Sequence, residues 1–267
     1  MNTNTRVSFS SRFLARSCTT AVLATMVLSA NAGDDKKWGY TGELGPANWS
    51  QISSDCAVCA DGKEQSPIDI PADAPTNDAD IVFSYQPTAI NLVNNGHTVQ
   101  VNYDSGSFMV AEGKKFTLLQ FHFHALSEHT IDGEHTPMEV HFVHQSDDGE
   151  YAVVGVMLER GAAHAAFGPV LANMPVNAGE TLTVEGVTIN ASAMLPADQS
   201  YYRYAGSFTT PPCTEGVRWF VMTTPVELSD AQVSSFESLY DNNYRPVQPM
   251  HEREFAGASD CCGACGG

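Results

Sequence analysis

Between Lys115 and Leu126 the chain reads KFTLLQFHFHAL, with Phe121 and Phe123 alternating with His122 and His124. An alternation of period two places one set on each face of a β-strand; it does not suit an amphipathic helix. Comparable short runs recur as HTVQVNY (97–103), MEVHFVHQ (138–145), EYAVVGVML (150–158), ETLTVEGVTIN (180–190) and VRWFVMTTPVEL (217–228). They are rich in Val, Phe, Thr and Tyr and punctuated by Gly, Asn or Asp, the marks of strands and turns. Helical pattern is confined to two segments. In ERGAAHAAFGPVLANM (159–174), Phe167, Val170, Leu171 and Met174 share one face. In SDAQVSSFESLYDN (229–242), Ser229 or Asp230 caps a helix whose stripe is Val233, Phe236, Leu239 and Tyr240. No repeat or composition break interrupts Trp38–Phe255. The expectation is a mainly β (α+β) single domain, with a large, mostly antiparallel twisted central sheet and short peripheral helices.

The two ends read differently. Residues 1–32 carry Arg6, Arg12 and Arg16 but no acid, then the apolar TAVLATMVLSA and the small-residue site Ala30-Asn31-Ala32. This is the pattern of a cleaved signal peptide, so the protein is expected to be periplasmic or secreted. The apolar run is too short to span a bilayer and no later segment reaches spanning length, so no membrane anchor is expected. The folded domain is expected over 33–256, and the Cys/Gly-rich tail over 257–267 is expected to lack order.

Lys+Arg number 13 and Asp+Glu 31, a formal charge of -18; losing the three leader arginines takes it to -21. A surface that acidic repels phosphate backbones, which excludes a nucleic-acid partner. Cleavage also removes Cys18 and leaves Cys56, Cys59, Cys213, Cys261, Cys262 and Cys265. In an oxidising compartment that even number suggests disulfides of undetermined pairing. The Cys56-x-x-Cys59 and Cys262-x-x-Cys265 pairs also read as halves of a zinc ribbon, though about 200 residues and a glycine-rich tail stand against it.

His122 and His124 share a strand face, so their rings can converge on one ion. If MEVHFVHQ pairs antiparallel with the first strand, His141 arrives on that face, with Glu139 two residues before it; His144 points the other way. Three neutral imidazoles suit Zn²⁺, and a catalytic zinc keeps a fourth position open. Such histidines usually give their second N–H to a fixed acceptor, and Gln120 and Glu139 are placed for that duty. The alternative is a set of hydrogen-bonded core histidines that serve packing alone.

These residues sit in a longer ordered series: WGYTGELGPANW (38–49), QSPIDI (65–70), NNGHTVQV, QFHFHALSEHTIDG, MEVHFVHQ, SFTTPPCTEGVRWFV and YRPVQP (244–249). That series resembles the α-class carbonic anhydrases, the exported bacterial members above all, over nearly all of the mature chain. The resemblance implies zinc-dependent reversible hydration of carbon dioxide to bicarbonate by an activated solvent nucleophile, with weak ester hydrolysis as a side activity. It implies Zn²⁺ held by His122, His124 and His141, with Gln120, Glu139 and the backbone carbonyl of Asn243 as acceptors behind them. Glu128 and Thr209 match the family's gate pair. Thr210, beside Thr209, matches a substrate-pocket position, and Val143, Val153, Phe208, Val217 and Trp219 match the wall where carbon dioxide rests; Phe208 replaces the usual leucine. His97 matches the proton shuttle, and Tyr40, Asn95 and Gln100 match positions that hold its water chain. Cys59 and Cys213 match the bacterial disulfide. Cys56 departs from the pattern, while His129, His135, His144, His164 and His251 read as structural or surface residues. The partner so implied is a small molecule, carbon dioxide or bicarbonate, and the pattern is compatible with a homodimer.

Overall fold

The computed structural model describes Met1, residues 37–78 and residues 80–256. Apart from Met1, the leader expected over 1–32 and the tail expected over 257–267, with Cys18, Cys261, Cys262 and Cys265, lie outside the described residues.

In chain order the strands are β1 (Asp69–Ile70), β2 (Val82–Ser84), β3 (Thr88–Asn94), β4 (Val99–Asn102), β5 (Phe108–Ala111), β6 (Lys114–His124), β7 (Thr130–Ile131), β8 (Met138–Gln145), β9 (Tyr151–Arg160), β10 (Thr181–Ile189), β11 (Tyr201–Ser207), β12 (Glu215–Met222) and β13 (Val226–Leu228). Among the described residues three short α-helices join them, α1 (Val58–Asp61), α2 (Gly168–Leu171) and α3 (Asp230–Glu237), with four 3-10 turns besides. An 11-stranded sheet has β10-β3-β4-β6-β8-β9-β12-β11 as its main path, and β1 and β7 make a separate pair. Pairing in the large sheet is antiparallel except where β9 meets β12 and β13. The mainly β, mostly antiparallel fold is as the alternating segments imply.

Two apolar layers fix the register. Phe121, Phe123, Val140, Phe142, Val154 and Phe220 face one side, where Phe167 and the α3 residues Val233 and Phe236 cover them. Val143, Val153, Val217, Trp219 and Val221 face the other side with Ile68, Ile70 and Tyr204. Phe121 and Phe123 are fully buried, each removing apolar surface worth roughly 2–3 kcal/mol. A slip of one residue would expose them and turn the histidines inward, so burial selects the observed pairing. A bulge between Leu118 and Gln120 adjusts the phase of β6. Phe116 and Leu118 enter the main core before it, Phe121 and Phe123 after it, so the bulge sets Gln120, His122 and His124 on the opposite face.

The helix expected over 159–174 is much shorter. β9 continues to Arg160, where Glu159 and Arg160 pair with Glu227 and Leu228 of β13, and only Gly168–Leu171 is helical. Glycines at 161 and 168 and Pro169 weaken a long helix, while strand pairing offers its first residues backbone partners. Phe167, Val170 and Leu171 are nevertheless buried, as their spacing implies. The second helix matches closely. Ser229 Oγ accepts from Gln232 N and the Gln232 side chain accepts from Ser229 N, a capping box. VRWFVMTTPVEL divides into β12 and β13 around Thr223–Pro225.

Cys59 and Cys213 form a disulfide across 154 positions of sequence, and Cys56 is a buried free thiol packed with both. In the chain-entropy description a loop of that length stabilises by about 4–5 kcal/mol before native-state strain.

Candidate metal centre

In the β6–β8 register His122 stands opposite His141, and His124 opposite Glu139. The imidazole centroids lie 5.0 Å apart for His122 and His124, 5.3 Å for His122 and His141, and 4.6 Å for His124 and His141. Each ring has one nitrogen tied back. His122 Nδ1–H donates to Gln120 Oε1 at 2.9 Å, His124 Nδ1–H to the Asn243 carbonyl at 2.8 Å, and His141 Nε2–H to Glu139 Oε1 at 2.8 Å. An oxygen that only accepts fixes the proton on the bonded nitrogen, leaving a bare lone pair on the other. His124 Nε2 is buried with no hydrogen-bond partner, an unusual state for a polar atom. One nitrogen from each ring lies within 4.8 Å of the other two. Burial lowers all three pKa values, that of His124 to about 4, so the rings are neutral at pH 7. Three neutral donors around an unsatisfied nitrogen fit a cation of the zinc type.

A second grouping, His129, Glu139 and His141, also lies within 4.8 Å. It is already satisfied. His129 Nδ1 bonds Glu139 Oε1 at 2.8 Å and its Nε2 bonds the Tyr204 hydroxyl at 2.7 Å, which meets Ser66 Oγ at 2.8 Å. Glu139 Oε2 takes the backbone N–H groups of Glu128 and His129. Burial pushes the Glu139 carboxyl up, but His129 and His141 outweigh it and hold the group well below the usual carboxylate range. His129 thus braces Glu139 and, through it, His141. Its partner Tyr204 lies 75 positions away, so no spacing in the sequence marks this bracing role.

Glu128 is fully buried, and its Oε1 accepts from Arg245 N at 2.8 Å. Oε2 lies 3.4 Å from His124 Nε2 and has no well-aligned hydrogen-bond partner, although the Thr209 side chain is close enough to ease the ionisation of the group. Burial dominates and raises its pKa to about 7.

A cavity of about 250 Å³ opens over the imidazoles. Tyr40, Asn95, His97, Gln100, Gln120, the three histidines, Val143, Val153, Phe208, Thr209, Thr210 and Trp219 line it, so nearly every residue singled out in the sequence reaches one space. Glu128, Glu139 and Asn243 stand behind that lining. Val217 does too, packed in the apolar layer with Val143 and Val153. Trp38 and Thr98 also line the cavity and were not singled out as site residues. His97 is half-buried in that lining, and burial lowers its pKa.

The wall bearing Thr209 is fastened from below. Gln65 Nε2 donates to the Cys213 carbonyl, and buried Arg245 donates to Gln65 Oε1, the Ser66 carbonyl and the Cys59 carbonyl. The disulfide and Arg245 therefore connect the Thr209 segment to the chain that supports Glu128.

Comparison with known proteins agrees. The profile of the eukaryotic-type carbonic anhydrase family matches residues 44–257. A carbonic anhydrase of Nostoc sp. is 45% identical over 221 residues, covering 81% of this chain and 84% of its own. One from Pectobacterium carotovorum is 39% identical over 234 residues, covering 87% and 96%. The α-carbonic anhydrase of Thermovibrio ammonificans, solved with the inhibitor sulfanilamide, superposes with a TM-score of 0.79 at 43% identity, covering 82% of this chain and 98% of that one. The chain belongs to the eukaryotic-type, or α, carbonic anhydrase family.

Proposed function

We propose that this exported protein hydrates carbon dioxide reversibly to bicarbonate and a proton, using Zn²⁺ held by His122, His124 and His141. The observation that carries the reading is the set of three tied-back neutral imidazoles, one with an unsatisfied buried nitrogen. When bound, zinc with three uncharged ligands supplies Lewis-acid activation of solvent at neutral pH, an effect for which carbonic anhydrases are themselves the standard example.

The remaining roles belong to this chain's own side chains. Val143, Val153, Phe208 and Trp219, backed by Val217, offer an apolar wall to an uncharged linear substrate that no ion pair could orient. Thr210 adds a hydroxyl at that wall. The Thr209 hydroxyl accepts a hydrogen from the attacking solvent and donates its own to Glu128 Oε2, aiming a lone pair at the carbon. A cation among the imidazoles favours the ionised Glu128 that this requires. Carbon–oxygen bond formation yields bicarbonate, and the proton released leaves through His97, with Tyr40, Asn95 and Gln100 holding water between. A histidine suits that relay because its pKa lies near neutrality. A nucleophile of this kind also attacks activated esters weakly. Export is supported by the Cys59–Cys213 disulfide, a feature of oxidising compartments.

Stopped-flow hydration before chelation, after it and after zinc is restored tests the reading. Activity should vanish and return; a zinc-loaded protein without activity would leave a binding module on the same fold.

A further inference from the structure

The chain contains a single Asn-Gly step, Asn95–Gly96, and the fold places it at the wall of the cavity. Both residues are exposed to solvent. Gly96 has φ +88 and no side chain to shield its amide nitrogen from the preceding residue. Asn95 Oδ1 accepts two backbone hydrogen bonds, from His97 N and Thr98 N, each at 2.9 Å. Donors aimed at a carbonyl oxygen stabilise the negative charge that develops when its carbon is attacked.

We infer that Asn95 is a site of spontaneous deamidation, which turns a neutral cavity wall into an anionic one. The Gly96 N–H first leaves Asn94 Oδ1, its partner at 3.1 Å, and gives its proton to solvent hydroxide. The freed nitrogen bonds to Asn95 Cγ and the charge settles on Oδ1 between the two donors; water then gives a proton to Nδ2, regenerating hydroxide, and the carbonyl re-forms as the Cγ–Nδ2 bond breaks and ammonia leaves. Water opens the resulting cyclic imide at either carbonyl, giving aspartate or isoaspartate; the net change is water in and ammonia out.

The consequence follows from the lining. Among the described residues that line it there is no Asp, Glu, Lys or Arg. A carboxylate at position 95 is therefore the first charged side chain of that lining, two positions from His97, and it adds repulsion toward an anion while leaving an uncharged gas unaffected.

The full chain, held at mildly alkaline pH and sampled over time, is digested and read by mass spectrometry with fragmentation that separates isoaspartate from aspartate. The expected result is amide-to-acid conversion at residue 95 several times faster than at any other asparagine, with isoaspartate present. Asn95→Gln should lose this fast phase, because its ring closure is slower. Conversion no faster at 95 than at Asn173 or Asn177 would overturn the assignment. The second readout rests on the proposed reaction: aged protein should show a raised KM for bicarbonate with the KM for carbon dioxide unchanged. Equal KM values before and after verified conversion would overturn the charge effect, while the mass result stands apart from any activity.

Discussion

His97 lies flat on Trp38, with ring centroids 3.6 Å apart and planes 5° from parallel. The stack shields a group of the cavity lining and accounts for the burial that lowers its pKa. Replacing Trp38 by Ala should move the His97 pKa back up toward 6.5, as read by NMR titration of the ring protons. A pKa that stays low would place the cause elsewhere.

If His97 carries the outgoing proton, His97→Ala should slow turnover by at least about a hundredfold in weak buffer, the lower end of what a positioned proton carrier contributes. Strong buffer or added imidazole should restore much of it. Turnover that falls equally at every buffer concentration, with no rescue, contradicts the role.

Gly155 stands opposite His141, and a Cβ built there would sit 2.8 Å from Glu139 Oε1. Gly155→Ala should therefore push Glu139 off His141. We expect a stability loss of about 1–3 kcal/mol from crowding. Zinc affinity should fall by about tenfold or more through the disturbed acceptor. Competition against a zinc chelator measures it, and unchanged affinity would show that Glu139 does not position the ring.

Much of this centre is legible in sequence because period-two alternation carries it. Gln120, His122 and His124 are assigned to one face of β6 by counting alone, as are Glu139 and His141 to one face of β8, and the pairing of β6 with β8 brings the two sets together. Other parts leave no local trace. His129, Tyr204 and Ser66 form their chain between segments far apart in sequence, so no spacing announces it. β3 escapes because Asn91 and Asn94 interrupt its apolar residues, and β11 because Arg203 sits among its tyrosines. Residues 159–174 mislead for the opposite reason. Their apolar spacing is helical, yet pairing with β13 claims the first two residues for the sheet.

His144 faces the main core, where its Nε2 meets the Tyr85 hydroxyl at 2.7 Å, and burial lowers its pKa to about 3. Unfolded, it protonates near its ordinary 6.5. Between those values the unfolded chain binds more protons, so stability is full above about pH 6.5 and declines as the pH falls toward 3. By pH 4 this one group should remove up to about 3 kcal/mol. Urea unfolding of wild type and His144→Phe at pH 7 and pH 4 checks it. The variant should lose less on acidification, and parallel losses would contradict the assignment.

Reducing the Cys59–Cys213 bond should lower stability by about 4–5 kcal/mol. It should also weaken activity beyond any global unfolding, because Cys213 N donates to the Thr210 carbonyl beside Thr209. Thermal unfolding and hydration assays with and without a phosphine reductant, at a temperature where both forms stay folded, separate the two effects. Full activity in the folded, reduced protein would show that the bond supports the fold alone.

The most direct test of the whole account is X-ray absorption at the zinc edge of stoichiometrically loaded protein, beside His124→Ala. The account predicts one zinc per chain with three imidazole nitrogens at about 2.0–2.1 Å, falling to two in the variant. A spectrum dominated by sulfur or carboxylate scattering, or one that the His124 substitution leaves unchanged, would contradict it.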